Sequence, residues 1–262
     1  MNGDDIKIEI QHLTMAYGSY EIMRDINARV KRGSVFVIMG GSGTGKSTLL
    51  RHMIGLQCPA QGDILYDGQS FWGMDEDARQ AQLRKCGVLF QSGALWSSMT
   101  LAENIALPLA EYTDWPPADR QDVVRLKLAL VGLSGFEDYY PAQISGGMRT
   151  RAGLARAMAL DPEILFLDEP SAGLDPIISR NLDQLILELR DSLGATIVVV
   201  THELASIFRI ADDSIFLDAE SRTMRAQGNP KELLEHSTDP KLRAFLTRGE
   251  VSELQPVYEQ KS

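Results

Sequence analysis

The sequence predicts an α/β fold with a parallel central sheet, an N-terminal antiparallel β subdomain and an inserted helical subdomain. Val35 to Met39, Ile164 to Leu167 and Thr196 to Val200 are unbroken apolar runs rich in β-branched residues, the composition of strands covered on both faces. Between them lie stretches with helical periodicity, Ser47 to Leu56 and Ile178 to Ser192, the second carrying Leu182, Leu185, Ile186 and Leu189 on one face. Strands alternating with helices give a parallel sheet in layers. At the N-terminal end Ile6, Ile8 and Ile10 alternate with Lys7, Glu9 and Gln11, the period-2 pattern of a half-buried antiparallel strand.

The middle of the chain has a different character. From about Ser92 to Leu160 there is no comparable strand run, and helical patterns cover Leu101 to Glu111, Asp119 to Leu133 and Met148 to Leu160. Trp115, Pro116 and Pro117 separate the first two, because proline cannot continue a helix interior. The expected organisation is a core of residues 1–91 and 161–227, a helical subdomain of residues 92–160 and a C-terminal extension of residues 228–262. The extension should hold a helix at Asp239 to Leu246 and a polar tail from Gly249.

Composition narrows the function. A net charge of −10 over 262 residues argues against a nucleic-acid binder, which needs a basic surface for phosphate contacts. No stretch approaches the 18 or so consecutive apolar residues of a membrane span, and the acidic start Met1-Asn2-Gly3-Asp4-Asp5 is unlike a signal peptide. The chain is expected in the cytoplasm, with any membrane role supplied by a partner. Cys58 and Cys86 have no CxxC spacing and read as packed, reduced thiols.

Gly40-Gly41-Ser42-Gly43-Thr44-Gly45-Lys46-Ser47 is a complete GxxxxGK[ST] phosphate loop, set directly after an apolar strand and before a helix. The fold becomes that of a P-loop NTPase. Its glycines let successive backbone N–H groups face the phosphates of ATP, with Thr48 closing the nucleotide-binding run; Lys46 neutralises the β and γ oxygens, and Ser47 ligates Mg²⁺. Ile164 to Leu167 is followed by Asp168 and Glu169, placing two carboxylates at the C-terminal end of a buried strand. Asp168 suits Mg²⁺ and Glu169 suits a general base for the attacking water.

Ile144-Ser145-Gly146-Gly147-Met148 resembles the signature of ABC ATPases, and other landmarks of that family recur in order. They are Tyr17, Gln91 after Val88-Leu89-Phe90, Ser171-Ala172-Gly173-Leu174-Asp175, and His202 after the last apolar run. Ile144 and Met148 depart from the commonest leucine and glutamine, while Ser145, Gly146 and Gly147 remain. The resemblance implies that Tyr17 stacks on adenine, that Gln91 senses Mg²⁺ and the γ-phosphate, and that His202 bonds the γ-phosphate and Glu169. It also implies a homodimer in which Ser145, Gly146 and Gly147 of one subunit complete the phosphate site of the other, coupled to an integral membrane permease. Repair-type members carry a long coiled-coil insertion and translation-type members carry tandem cassettes, and this chain has neither.

The segment Phe90 to Leu109 and Gly173-Leu174-Asp175-Pro176-Ile177 resemble the Mla/MCE lipid-transport branch. That likeness implies phospholipid cargo, an MCE-type lipid-binding protein in the complex, and peripheral attachment at the cytoplasmic face of a bacterial inner membrane. Similar strings occur in amino-acid importers, and an ATP-gated clamp without transport is the reading from another class. Arg149, Arg151 and Arg156 read as a solvated face or subunit contacts. Leu95 and Trp96, just beyond Gln91, read either as a contact to the permease or as packing between core and helical subdomain.

Overall fold

The computed structural model describes residues 5–248, so the acidic start other than Asp5 and the polar tail from Gly249 lie outside the described residues. The chain opens with a hairpin of β1 (Ile6–Tyr17) and β2 (Tyr20–Lys31), then β3 (Val35–Gly40), the phosphate loop and α1 (Lys46–Met53). Next come β4 (Gln61–Tyr66), β5 (Gln69–Ser70), α2 (Glu76–Arg84) and β6 (Cys86–Leu89). Helices α3 (Leu101–Tyr112), α4 (Pro117–Leu130) and α5 (Gly146–Ala157) fill the middle. The chain returns through β7 (Ile164–Asp168), α6 (Pro176–Leu193), β8 (Thr196–Val200), α7 (Leu204–Ile210), β9 (Asp213–Asp218) and β10 (Thr223–Gly228), ending in α8 (Pro230–His236) and α9 (Pro240–Leu246).

Two sheets result. One is antiparallel in the order β2-β1-β4-β5, and the other runs β10-β9-β3-β8-β7-β6. Within the second, β9, β3, β8, β7 and β6 pair in parallel, and β10 adds an antiparallel edge against β9. The central sheet is thus mixed at one edge rather than wholly parallel. Every residue of β3 and β8 is buried, as their unbroken apolar sequences require. Alternation still operates inside them: Val35, Val37 and Met39 pack toward the helical side, while Phe36 and Ile38 join α1 and the antiparallel sheet.

Local chemistry sets the helix ends. Thr100 and Glu103 form a reciprocal capping box at α3, Pro117 opens α4 at its first turn, and Asp175 accepts from the Ile177 and Ile178 N–H groups to cap α6. The α4 pattern expected to reach Leu133 stops at Leu130, because Gly132 takes a left-handed φ of 70°. Helix α5 begins two residues before Met148, with Ser145 as its cap. The C-terminal region holds α8 besides the expected helix. No helix of the described residues is long and apolar enough to cross a membrane.

Two minor expectations need correction. Arg149, Arg151 and Arg156 are not a solvated face, since their guanidinium groups donate to the carbonyls of Ile144, Val131, Gly93 and Ala94. Cys58 is exposed rather than packed; Cys86 is half-buried in the residue sense, and burial of its thiol pushes its pKa up to about 12, which keeps it protonated and unreactive.

Candidate nucleotide site

Parallel pairing of β3, β8, β7 and β6 brings their C-terminal ends to one edge. The phosphate loop follows β3, Asp168 and Glu169 end β7, His202 follows β8 by two residues, and Gln91 follows β6 by two. A ligand site at that edge is what open α/β sheets provide. There a cleft of about 590 Å³ is lined by Tyr17, Tyr20, Ile22, Ser42 to Thr48, Gln91, Glu169, Ala172 and His202.

Gly40 turns the chain out of β3 with φ 155°, and a Cβ there would lie 2.6 Å from the Leu217 carbonyl oxygen and 2.9 Å from Thr44 Oγ1. Only glycine fits. Beyond it the loop wraps Lys46, whose Nζ donates to Gly40 O at 3.0 Å and Gly41 O at 2.8 Å. Burial lowers the Lys46 pKa, opposed by the charges of Glu169 and Asp168. A phosphate anion would relieve that desolvation by pairing with the ammonium. Helix α1 starts at Lys46, so its N-terminal N–H groups face the same space.

Ser47 Oγ donates to Asp168 Oδ1 at 2.9 Å, which sets two hard oxygen ligands side by side under the loop. This donor set fits Mg²⁺, which takes one or two protein oxygens plus substrate phosphates instead of a closed protein cage. Gln91 lies on the cleft wall and is exposed.

Glu169 has φ 49°, a left-handed conformation costly for a glutamate. Its N–H donates to Val200 O at 2.9 Å, which holds the strained residue across to β8. Glu169 Oε1 lies 2.8 Å from His202 Nδ1, while Glu169 Oε2 is buried without a partner. A buried unpaired carboxylate oxygen is costly in a folded protein, and the residue that carries it lines the cleft.

Tyr17 is 53% exposed at the cleft mouth. The sequence reading missed Tyr20, which pairs across the hairpin with Tyr17 and lines the same cleft. Strand pairing puts directly opposed residues on one face, so the two-residue turn Gly18-Ser19 was the available signal. Arg222 stacks 5.2 Å from the Tyr20 ring centre.

Ser145, Gly146 and Gly147 do not line this cleft. Ser145 is exposed and accepts from Met148 N at 3.3 Å, leaving the N-terminus of the 12-residue α5 open. A Cβ on Gly147 would lie 2.6 Å from Ile178 Cγ2, so α6 packs directly under this turn. Of the pair beyond Gln91, Leu95 packs on the core while Trp96 is 58% exposed, with its N–H and carbonyl both held by the Asn104 amide.

Residues 23–172 match the sequence model of the ABC transporter family. The chain is 42% identical over 241 residues to the probable ribonucleotide transport ATP-binding protein mkl of Mycobacterium tuberculosis, covering 92% of this chain and 66% of that relative. It is 39% identical to the intermembrane phospholipid transport system ATP-binding protein MlaF of Haemophilus influenzae, covering 93% of this chain and 90% of that one. The MlaF of Escherichia coli K12 is 38% identical, with 91% and 88% covered. Among solved structures, cbiO1 of Clostridium perfringens, part of the ABC transporter complex cbiONQ, superposes with TM-score 0.80 at 28% identity, covering 89% of this chain and 92% of that one. The ATP-binding cassette MJ0796, a dimer in a post-hydrolysis state with ADP and Pi, gives 0.77 at 29% identity, with 85% and 98% covered. With the phosphate loop, the paired strand-end carboxylates and the Ser145 turn on a shared scaffold, the chain belongs to the ABC transporter family.

Proposed function

We propose that this chain is the ATP-hydrolysing subunit of a bacterial ABC transporter for phospholipid, acting as a homodimer on an integral membrane permease. The observation that carries the hydrolytic reading is the Glu169 carboxylate, held at Oε1 by His202 and left without a partner at Oε2. The Glu169 carboxylate takes a proton from water as the water oxygen bonds to the γ-phosphorus in line with the departing ADP oxygen. The bond from phosphorus to that oxygen breaks, yielding ADP and phosphate. His202 with Nδ1 protonated donates to Glu169 Oε1 and fixes the orientation of the carboxylate. Lys46 and the loop N–H groups spread the phosphate charge. Ser47, Asp168 and Gln91 would hold Mg²⁺, which would supply charge neutralisation to the phosphates.

Tyr17 carries the adenine. The dimer follows from the exposed Ser145 turn: an anion-binding helix end built away from its own cleft supplies its N–H groups to a second chain's nucleotide. The division is a core of residues 1–91 and 161–227, a signature subdomain of residues 92–160 and an extension from residue 228. The permease sits against the helical side, where a groove of about 550 Å³ is lined by Leu83, Arg84, Val88, Leu107, Tyr112 and Leu160. Arg156 lines that groove too and donates to the carbonyls just after Gln91, so a contact there reaches the phosphate sensor. Trp96, two residues beyond the Ala94 carbonyl that Arg156 holds, is exposed and serves as an anchor.

Phospholipid is favoured as cargo because likeness to MlaF spans nearly the full length of both chains, whereas the chain spans about two thirds of mkl. An MCE-type lipid-binding protein completes the assembly, and this chain sits at the cytoplasmic face of the inner membrane. Purification of the membrane complex in detergent, followed by lipid extraction and ATPase assay, tests this. Bound phospholipid and stimulation by it are expected; stimulation by ribonucleosides or amino acids instead would overturn the cargo.

A further inference from the structure

We propose that Asp183 is a positioning residue for the Glu169–His202 pair, acting through α7; the inference rests on the hydrolytic reading above. Helix α7 has seven residues, too few to hold itself in isolation. Its orientation is set by what it packs against, and His202 is joined to its first residue by Glu203 alone. Leu204, Ile207 and Ile210 of α7 and Leu182, Ile186 and Leu189 of α6 are buried in one apolar cluster. Into this seam α6 sends Asp183, 2% exposed, which accepts from Ser206 Oγ at 3.0 Å and from the Arg209 guanidinium.

An ionic cluster is a poor way to stabilise an apolar seam. Burial raises the Asp183 pKa, and the hydrogen bonds from Ser206 and Arg209 only partly oppose it. Apolar residues of similar volume hold such a seam at least as well. What the cluster adds is register: two directional bonds allow α7 one rotation and one height on α6, whereas leucine against leucine permits sliding. The far end is pinned as well, since Arg190 of α6 reaches both oxygens of Asp212, which follows α7, and Asp212 accepts from Val35 N.

Helix α6 is itself fixed near the site. Asp175 caps its first turn and Ile178 packs under Gly147. Asp183 therefore ties α7, which follows His202, to the helix packed under the Ser145 turn. Loss of the tie should let His202 Nδ1 drift from its 2.8 Å contact with Glu169, which leaves the base unoriented while nucleotide contacts stay intact.

The test uses the full chain in two forms: Asp183→Leu with Ser206→Ala and Arg209→Leu, which replaces the cluster by an apolar seam, and Ser206→Ala alone, which removes one bond without stranding a charge. The apolar triple variant should melt with the parent and keep the parental KM for ATP. Its kcat should fall roughly tenfold or more, the scale of a misplaced catalytic group, and the His202 ring nitrogen signals in ¹⁵N NMR should move. Ser206→Ala should lower kcat roughly threefold, in keeping with one net hydrogen bond. A triple variant with parental kcat and unmoved His202 signals overturns the proposal; if it fails to fold, Ser206→Ala with parental kcat and His202 signals does so. A parent that binds ATP but never hydrolyses it refutes the hydrolytic reading instead, and the His202 signals then decide the positioning role alone.

Discussion

Acidification should unfold this protein partly through one histidine. His52, on the inner face of α1, is 0% exposed; its Nδ1 lies 3.1 Å from Thr48 O and its Nε2 is buried without a partner. Burial lowers its pKa from 6.5 to about 4, because the imidazolium has no counter-charge there. The folded pKa lies below the unfolded one, so the neutral ring's contribution is fully present above pH 6.5 and is lost as the pH falls toward 4. The unfolded chain takes up the proton first. Each pKa unit is worth about 1.4 kcal/mol, so the full loss is about 3 kcal/mol, with about 2 kcal/mol gone by pH 5. His52→Leu removes the titrating group while keeping an apolar side chain against the same core. Urea unfolding of parent and variant at pH 8 and pH 5 isolates it, since carboxylate titrations common to both cancel. The parent should lose about 2 kcal/mol more than the variant between those pH values. Equal losses in both proteins would refute the reasoning.

Glu169→Gln keeps an oxygen for His202 and removes only the base, so it should bind MgATP normally and lose about two to four orders of magnitude in single-turnover hydrolysis; near-normal turnover would place the base elsewhere. Ser145→Arg and Lys46→Ala should each be inactive, yet mixed dimers of the two should trap nucleotide at one intact site. Zero trapped sites in purified mixed dimers would contradict the shared-site arrangement. Trp96→Ala should leave folding and ATP binding unchanged while recovery with the permease falls, at a cost to that contact of about 2 kcal/mol or more; a lowered melting temperature with intact assembly would make Trp96 a packing residue. Arg156→Ala frees the Gly93 and Ala94 carbonyls, so permease stimulation of the ATPase should drop more than basal turnover, measured side by side with and without the membrane complex.

The parts of the fold that were legible are those where one physical rule acts alone. A strand buried on both faces must be apolar throughout, and β3, β7 and β8 read so. Strand β10 carries no such mark: Thr223 to Gly228 has no buried residue, lies at a sheet edge and takes its place from pairing with β9. Helix α8 was missed for a related reason. Its seven residues bury only Pro230, so no apolar stripe announces it, although Asn229 and Pro230 form a cap and first turn that mark its start. The arginines of α5 show the opposite error. Their spacing resembled a surface run, but Arg151 and Arg156 donate to the carbonyls of Val131, Gly93 and Ala94, far off in sequence.

The same division holds in the site. The phosphate loop, Asp168 and Glu169 are legible because their chemistry is local: backbone N–H groups, a lysine and strand-end carboxylates work from contiguous residues. Geometry that depends on two distant elements was not. Glu169 is strained at φ 49° and anchored to Val200 from β8, and its second oxygen is left free because His202 engages the first. Gly147 illustrates how such a constraint hides. In the sequence it reads as a donor for phosphate, yet an alanine there would place a Cβ 2.6 Å from Ile178 Cγ2 before any ligand arrives. The missing Cβ is therefore a packing requirement between α5 and α6, and Ile178→Ala should make Gly147→Ala tolerable for folding. If the paired variant melts no higher than Gly147→Ala alone, the glycine is demanded by something other than α6.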